Sequence, residues 1–176
     1  MSSDSVQRFS NRVDSYAKYR PSYPPQVIAC LRSEMGLTPQ MTVADVGAGT
    51  GLLTALLLAN GNTVYAVEPN AGMRQAAEAA LGGHANFHSI DGRSDATTLP
   101  AASVDLVTAA QAFHWFEPVA TRAEFRRILR APYWVALVWN ERRQTSPFMQ
   151  AYERLLAGYG TDYRQVDHRY AADYPA

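Results

Sequence analysis

The chain has 176 residues, 47% of them hydrophobic, and its 16 basic residues are balanced by 16 acidic ones. That length fits about one domain with a single sizeable core, and zero net charge gives no electrostatic footprint for a nucleic-acid surface. Cys30 is the single cysteine, so no internal disulfide can form, a cytoplasmic location is expected, no zinc-type cluster can assemble, and no apolar run is long enough to span a membrane.

In chain order, residues 1–10 are polar and carry no apolar signal core. Tyr16, Tyr19, Arg20, Pro21, Tyr23, Pro24 and Pro25 then make a proline-stiffened aromatic arm. The prolines lead into a helix over Gln26–Met35, which Gly36 ends. The arm is either a surface strap or a lid in which Tyr16, Tyr19 and Arg20 close over a ligand. Next comes the densest signal, Val43-Ala44-Asp45-Val46-Gly47-Ala48-Gly49-Thr50-Gly51, followed by the helix-like run Leu52–Ala59. This reads as strand, tight turn and helix. Glycines at alternate positions leave no side chain between backbone and ligand, and the helix amides face that ligand. A second strand, Thr63–Val67, ends at Glu68, and a carboxylate there can accept both hydroxyls of a ribose. Together these features describe a nucleoside-containing cofactor laid over the ends of two parallel strands.

The spacing narrows the nucleoside. Dinucleotide enzymes favour G-x-G-x-x-G, which places a pyrophosphate on the helix N-terminus. Here the pattern is G-x-G-x-G, with Asp45 two residues before it. That carboxylate would repel a pyrophosphate and suit a ligand carrying an amino group. On these residues the chain resembles the class I S-adenosylmethionine-dependent methyltransferases, and among them the small-molecule, type 11-like group. The resemblance implies a Rossmann-like α/β fold with an open, mainly parallel sheet, helices on both faces and strand order 3-2-1-4-5. It implies S-adenosylmethionine as cofactor, with Asp45, Gly47, Ala48, Gly49, Gly51, Glu68, Pro69, Met73 and Gln111 around it.

The later segments fit that frame. Pro69 and Asn70 start a helix over Ala71–Leu81, and Gly82-Gly83 stop it. Asn86–Ile90 is a third strand. The loop Asp91–Pro100 resembles the family's adenine loop, with Arg93, Ser94 and Asp95 on the family's Asp/Thr, Ala and Glu positions. Arg93 cannot accept a bond from an adenine amino group, so recognition there falls to the backbone of Ser94 and Asp95. Ser103–Ala109 is a fourth strand, and Gln111–Phe116 after it resembles the family's A-x-H-W-F segment. In that segment Trp115 would lie near the sulfonium. His114 would orient the acceptor or take a proton. Both have structural alternatives, a core tryptophan and a hydrogen-bonded histidine. Pro118–Leu129 is an amphipathic helix whose arginines, Arg126, Arg127 and Arg130, read as a solvated face. Ala131-Pro132-Tyr133 replaces the family's P-G-G turn, Trp134–Trp139 is a fifth strand, and Asn140 at its end is a substrate candidate. Ser146–Tyr159 is a last helix.

The expected organisation is an arm and helix over 1–36, a cofactor-binding core over 37–140, and a C-terminal helix and tail over 141–176. The family's sixth and seventh strands have no counterpart, which leaves the fifth strand as an edge that the tail or a second copy would cover. The expected function is methyl transfer to a small-molecule acceptor, with no metal, nucleic-acid or membrane partner. Two other readings stay open. One is a non-catalytic S-adenosylmethionine-binding protein or truncated methyltransferase; the other is an NAD-type oxidoreductase.

Overall fold

In the computed structural model, which describes residues 22–140 and 144–160, five strands form one open sheet in the order β3-β2-β1-β4-β5. The strands are β1 (Thr42–Val46), β2 (Thr63–Val67), β3 (Phe87–Ile90), β4 (Val104–Ala110) and β5 (Leu129–Val138). All pairings between them are parallel. The helices are α1 (Gln26–Met35), α2 (Leu52–Ala59), α3 (Ala71–Leu81), α4 (Pro118–Ile128) and α5 (Pro147–Tyr159). The predicted strand order and the Rossmann-like sheet are therefore present. No strand follows β5 among the described residues. The lid candidates Tyr16, Tyr19 and Arg20 lie outside the described residues.

Alternation along the strands sends side chains to two cores. Val43, Val64 and Leu106 face one side with Leu53 and Leu57 of α2, Ile28 and Leu31 of α1, and Leu81 of α3. Ala44, Val46, Val67 and Val107 face the other side with Phe116 and with Phe125 and Ile128 of α4. Strands buried on both faces read as near-continuous apolar runs, which is why they were legible as strands. Each fully buried leucine or valine contributes roughly 1.5–3 kcal/mol. Among the described residues, no helix is long and apolar enough to cross a membrane.

β5 begins earlier than its pattern suggested. Leu129 already pairs with Val104, the register shifts, and Trp134 then pairs with Leu106. The stretch Ala131-Pro132-Tyr133 is thus an irregularity inside the strand rather than a turn before it, with a cis Ala131–Pro132 bond and Tyr133 at φ 67°. A proline and a left-handed residue mimic a turn in the sequence, and a β-bulge uses the same residues.

The arginines at the end of α4 are exposed, as their helix face indicates, and two of them are also paired. Arg127 donates to both oxygens of Glu124 at 2.7 Å and to the Leu99 carbonyl at 2.7 Å. Arg130 donates to Asp105 at 2.8 Å and to the Ala102 carbonyl at 2.9 Å. Glu124 also accepts from the Thr97 amide (2.8 Å) and hydroxyl (2.5 Å), so α4 is tied to the loop after β3. Arg127, helped by Thr97, holds the Glu124 carboxyl at about 2, below its ordinary 4.5. A depressed carboxylate stabilises the fold above its unfolded pKa, and that stability is lost as pH falls through its folded pKa. Glu124→Gln is therefore expected to cost about 2 kcal/mol near neutral pH. The gap between variant and wild type should close as pH falls from 4.5 toward 2. Urea denaturation at several pH values checks this; a gap independent of pH would remove the ionic part of the argument.

Candidate cofactor site

The carboxyl ends of parallel strands gather loops on one edge of the sheet, and ligands bind there. The turn after β1 is anchored to β2: Gly47 and Ala48 donate their amides to the Val67 carbonyl at 2.8 and 3.2 Å. Gly47, Gly49 and Gly51 have φ of 72°, 57° and 84°, conformations that side chains seldom adopt. Their surroundings differ. A Cβ on Gly47 would lie 2.5 Å from Ala112 Cβ, and one on Gly51 would lie 2.6 Å from Leu81 Cδ1. A Cβ on Gly49 would meet nothing within 4 Å. Gly47 and Gly51 are glycine for packing, and Gly49 opens a cradle.

Glu68 borders that cradle. Its Oε2 accepts from the Gly49 amide and its Oε1 from the Asn70 amide, each at 2.9 Å. Burial pushes the carboxyl up, while the bonds from Asn70 and Gly49 and the charge of Arg74 pull it down. Arg74 donates to the Glu68 carbonyl at 2.8 Å and pairs with Asp91 at 2.9 Å, joining the ends of β2 and β3. Each Glu68 oxygen spends one lone pair on an amide and keeps another. The side chain is thus held in place with two acceptors to spare, which fits a ribose diol. Pro69 is half-buried, and Met73 is buried behind Asn70, which caps α3 by accepting from the Met73 amide at 3.0 Å.

Asp45 is not where the spacing suggested. It is 1% exposed, and its carboxylate accepts from the Thr54 hydroxyl (2.7 Å) and the Thr108 hydroxyl (2.9 Å). Burial raises its pKa and the threonine bonds oppose that. Asp45 therefore ties β1 to α2 and β4 beneath the turn instead of reaching for a ligand's amino group. Its partners lie 9 and 63 positions away, and no spacing rule exposes the second.

The loop after β3 departs from expectation in a similar way. Arg93 makes a bidentate pair with Asp95, through Nε at 2.9 Å and through Nη2, and exchanges backbone bonds with Ala96. Arg93 lowers the Asp95 pKa. Ser94 is fully buried, its hydroxyl accepting from Thr121 at 2.9 Å. The side chains of this loop thus hold its shape, and what they leave for a base is backbone.

After β4, Gln111 adopts φ 54° and the short 3-10 helix Phe113–Trp115 follows. Phe113 packs edge-on against Phe116 (5.8 Å) and Trp139 (6.3 Å). The His114 and Trp115 rings lie 4.7 Å apart. His114 and Trp115 are half-buried and Asn140 is exposed. Thr50 Oγ1 and Gln111 Nε2 are buried without a hydrogen-bond partner among the described residues. The sheet brings the glycine turn, Glu68, the β3 loop and the aromatic segment to one edge. Sequence reasoning missed Thr54, Thr108, Arg74 and Asp91 as supports. Only Arg74 carried a local hint, one turn into a helix that opens beside Glu68.

Residues 44–132 match the model of the methyltransferase domain family. An uncharacterised methyltransferase of Mycobacterium tuberculosis is 38% identical over 134 residues, covering 76% of the chain and 52% of the relative. One of Schizosaccharomyces pombe is 31% identical over 152 residues, covering 84% of the chain and 58% of the relative. The chain thus spans about half the length of the curated relatives it matches. A solved structure of a proposed type II methyltransferase from Anaeromyxobacter dehalogenans superposes with a TM-score of 0.62 at 30% identity, covering 90% of this chain and 61% of that one. Family match and fold agree, and the chain belongs to the S-adenosylmethionine-dependent methyltransferase family.

Proposed function

We propose that the protein binds S-adenosylmethionine at the β1–β2 edge and transfers its methyl group to a small-molecule acceptor. The observation that carries this is Glu68, fixed by the Gly49 and Asn70 amides beside an open glycine. When bound, the cofactor supplies an electrophilic methyl group on sulfur. The protein's task is then to align the acceptor with that methyl and exclude water. Glu68 holds the ribose hydroxyls. Gly49 lets the backbone approach the ligand, and Asp45 sets the turn from below. The Ser94 and Asp95 backbone lies where an adenine edge would rest. Trp115, His114 and Asn140 stand on the acceptor side, with His114 available to orient the acceptor or take its proton.

The paired Arg93 favours one second reading, a protein that binds cofactor but transfers nothing. Calorimetric titration with S-adenosylmethionine, its demethylated product and NADH tests the site. A labelled-methyl assay over small alcohols, amines and carboxylates then tests transfer. The expected result is binding of the first two ligands, none of NADH, and label on at least one acceptor. Binding without any transfer would establish the second reading; binding of NADH alone would overturn both.

A further inference from the structure

The sheet ends at β5, whose outer edge no strand covers among the described residues. Edge strands are commonly guarded by lysine, proline or a bulge. In β5 such guards sit at one end only. Arg130 is its single charge and is engaged with Asp105, and Pro132 and the register shift lie before Trp134. From Trp134 to Val138 the edge reads Trp-Val-Ala-Leu-Val, without charge, proline or glycine.

The register fixes which backbone groups are free. Val138 turns its carbonyl toward β4, where it accepts from the Gln111 amide at 2.9 Å. In a parallel strand the amide and carbonyl of one residue point to the same side, and those of the next residue to the other. Trp134, Ala136 and Val138 therefore serve β4, while Val135 and Leu137 present amide and carbonyl outward. These two residues are self-complementary about Ala136. In an antiparallel pair Val135 faces Leu137 of a second copy, and the two exchange both hydrogen bonds. Trp134 then lies opposite Val138 of the second copy, and both are apolar pairs of the kind that stabilise neighbouring strands.

The exposed apolar surface has the extent that such a contact needs. Trp134 is 40% exposed and Leu137 39%. Further on, α5 has no buried residue and carries Phe148, Tyr152, Leu155 and Tyr159 at helical spacing on an exposed stripe, Phe148 at 74% and Tyr159 at 85%. With Tyr133 these side chains offer roughly 800 Å² per copy, which is what each partner brings to a stable interface and more than the largest patch of an ordinary monomer. Antiparallel pairing also sets the carboxyl end of each β5, from which the chain runs on to α5, beside Trp134 of the other copy.

We propose that the protein forms a two-fold dimer in which β5 pairs antiparallel with β5 of a second copy, centred on Ala136, and the α5 stripe is buried in the same contact. This pairing is independent of what the glycine cradle binds.

The test is sedimentation of the full chain from about 1 to 200 µM, on wild type and Leu137→Lys, with urea denaturation as a check on folding. Wild type should be a dimer with a dissociation constant of about micromolar or tighter, and Leu137→Lys should weaken it at least about 50-fold by setting two ammonium groups near the axis. Residue-resolved amide exchange on wild type decides the matter if the variant fails to fold. The Val135 and Leu137 amides should be protected at least about tenfold more at the high concentration than at the low one, and those of Ala136 and Val138 equally at both. A wild type that stays monomeric would overturn the proposal, as would growth into open-ended oligomers. So would a dimer that Leu137→Lys leaves intact, or one in which the Val135 and Leu137 amides exchange freely.

Discussion

Glu68→Gln is expected to abolish tight cofactor binding as completely as Glu68→Ala, although it changes one atom. The carboxylate offers two equivalent oxygens, and each already accepts a backbone amide, from Gly49 and from Asn70. A carboxamide has one acceptor. Its NH₂ must face one of those two amides, donor against donor, and the buried amide left over costs about 1–3 kcal/mol. The same NH₂ withdraws one of the acceptors that a ribose diol needs. Losing two charge-assisted bonds removes roughly 3 kcal/mol or more, so affinity for S-adenosylmethionine should fall at least about 100-fold. Acid should act in the same direction. Protonation turns one oxygen into a donor, and burial raises the pKa at which that happens above the ordinary 4.5. Wild-type affinity should therefore decline as pH falls through that raised pKa, and Glu68→Gln should show no such decline. Calorimetry across pH checks both points. A variant binding within about fivefold of wild type would mean that Glu68 shapes the turn without touching ligand.

The place of Glu68 at the end of β2 is readable from the sequence because its signal is local: an apolar β run, then an acid where the strand ends. The parallel α/β class is legible in the same way, from apolar runs alternating with helix-length segments, whereas the strand order came with the family resemblance. Asp45 was misassigned for the opposite reason. An acid next to a glycine turn looks available to ligand until Thr54 and Thr108 are seen to enclose it. Arg93 was recognised as unable to accept a bond, but its pairing with Asp95 two residues on was not. Arg127 is exposed as its helix face indicates, but periodicity reports the face of a residue and not its partner; Glu124 three positions earlier was the available hint of the pairing. The strain at Gln111 left no trace in the sequence, because backbone dihedrals forced by tertiary packing have no compositional mark. What was legible was set by neighbours in the chain, and what was missed was set by neighbours in space.

The three turn glycines should separate stability from binding when each is substituted. Gly47→Ala places a methyl 2.5 Å from Ala112 Cβ, an atom attached directly to backbone that cannot swing away. Overpacking plus the left-handed penalty should cost about 2–4 kcal/mol. Gly51→Ala meets the far end of Leu81, 2.6 Å away, which can turn, so its cost should be smaller. Gly49 has φ 57° and open space around its missing side chain. Asn tolerates that conformation, so Gly49→Asn should lower stability by no more than about 1 kcal/mol. Yet its side chain would project into the volume a ligand needs beside Glu68, and binding should fall roughly 100-fold or more, because an overlapped ligand cannot regain the Gly49 approach. The two rankings are thus reversed: Gly47 dominates unfolding and Gly49 dominates titration. Urea denaturation and calorimetry on the three variants read them separately. If Gly49→Asn bound cofactor like wild type, the open side of Gly49 would face bulk solvent and the ligand would have to lie elsewhere along the strand ends. If Gly49→Asn instead unfolded the protein, the turn would be held by conformation alone, and the distinction between packing glycines and the cradle glycine would fail.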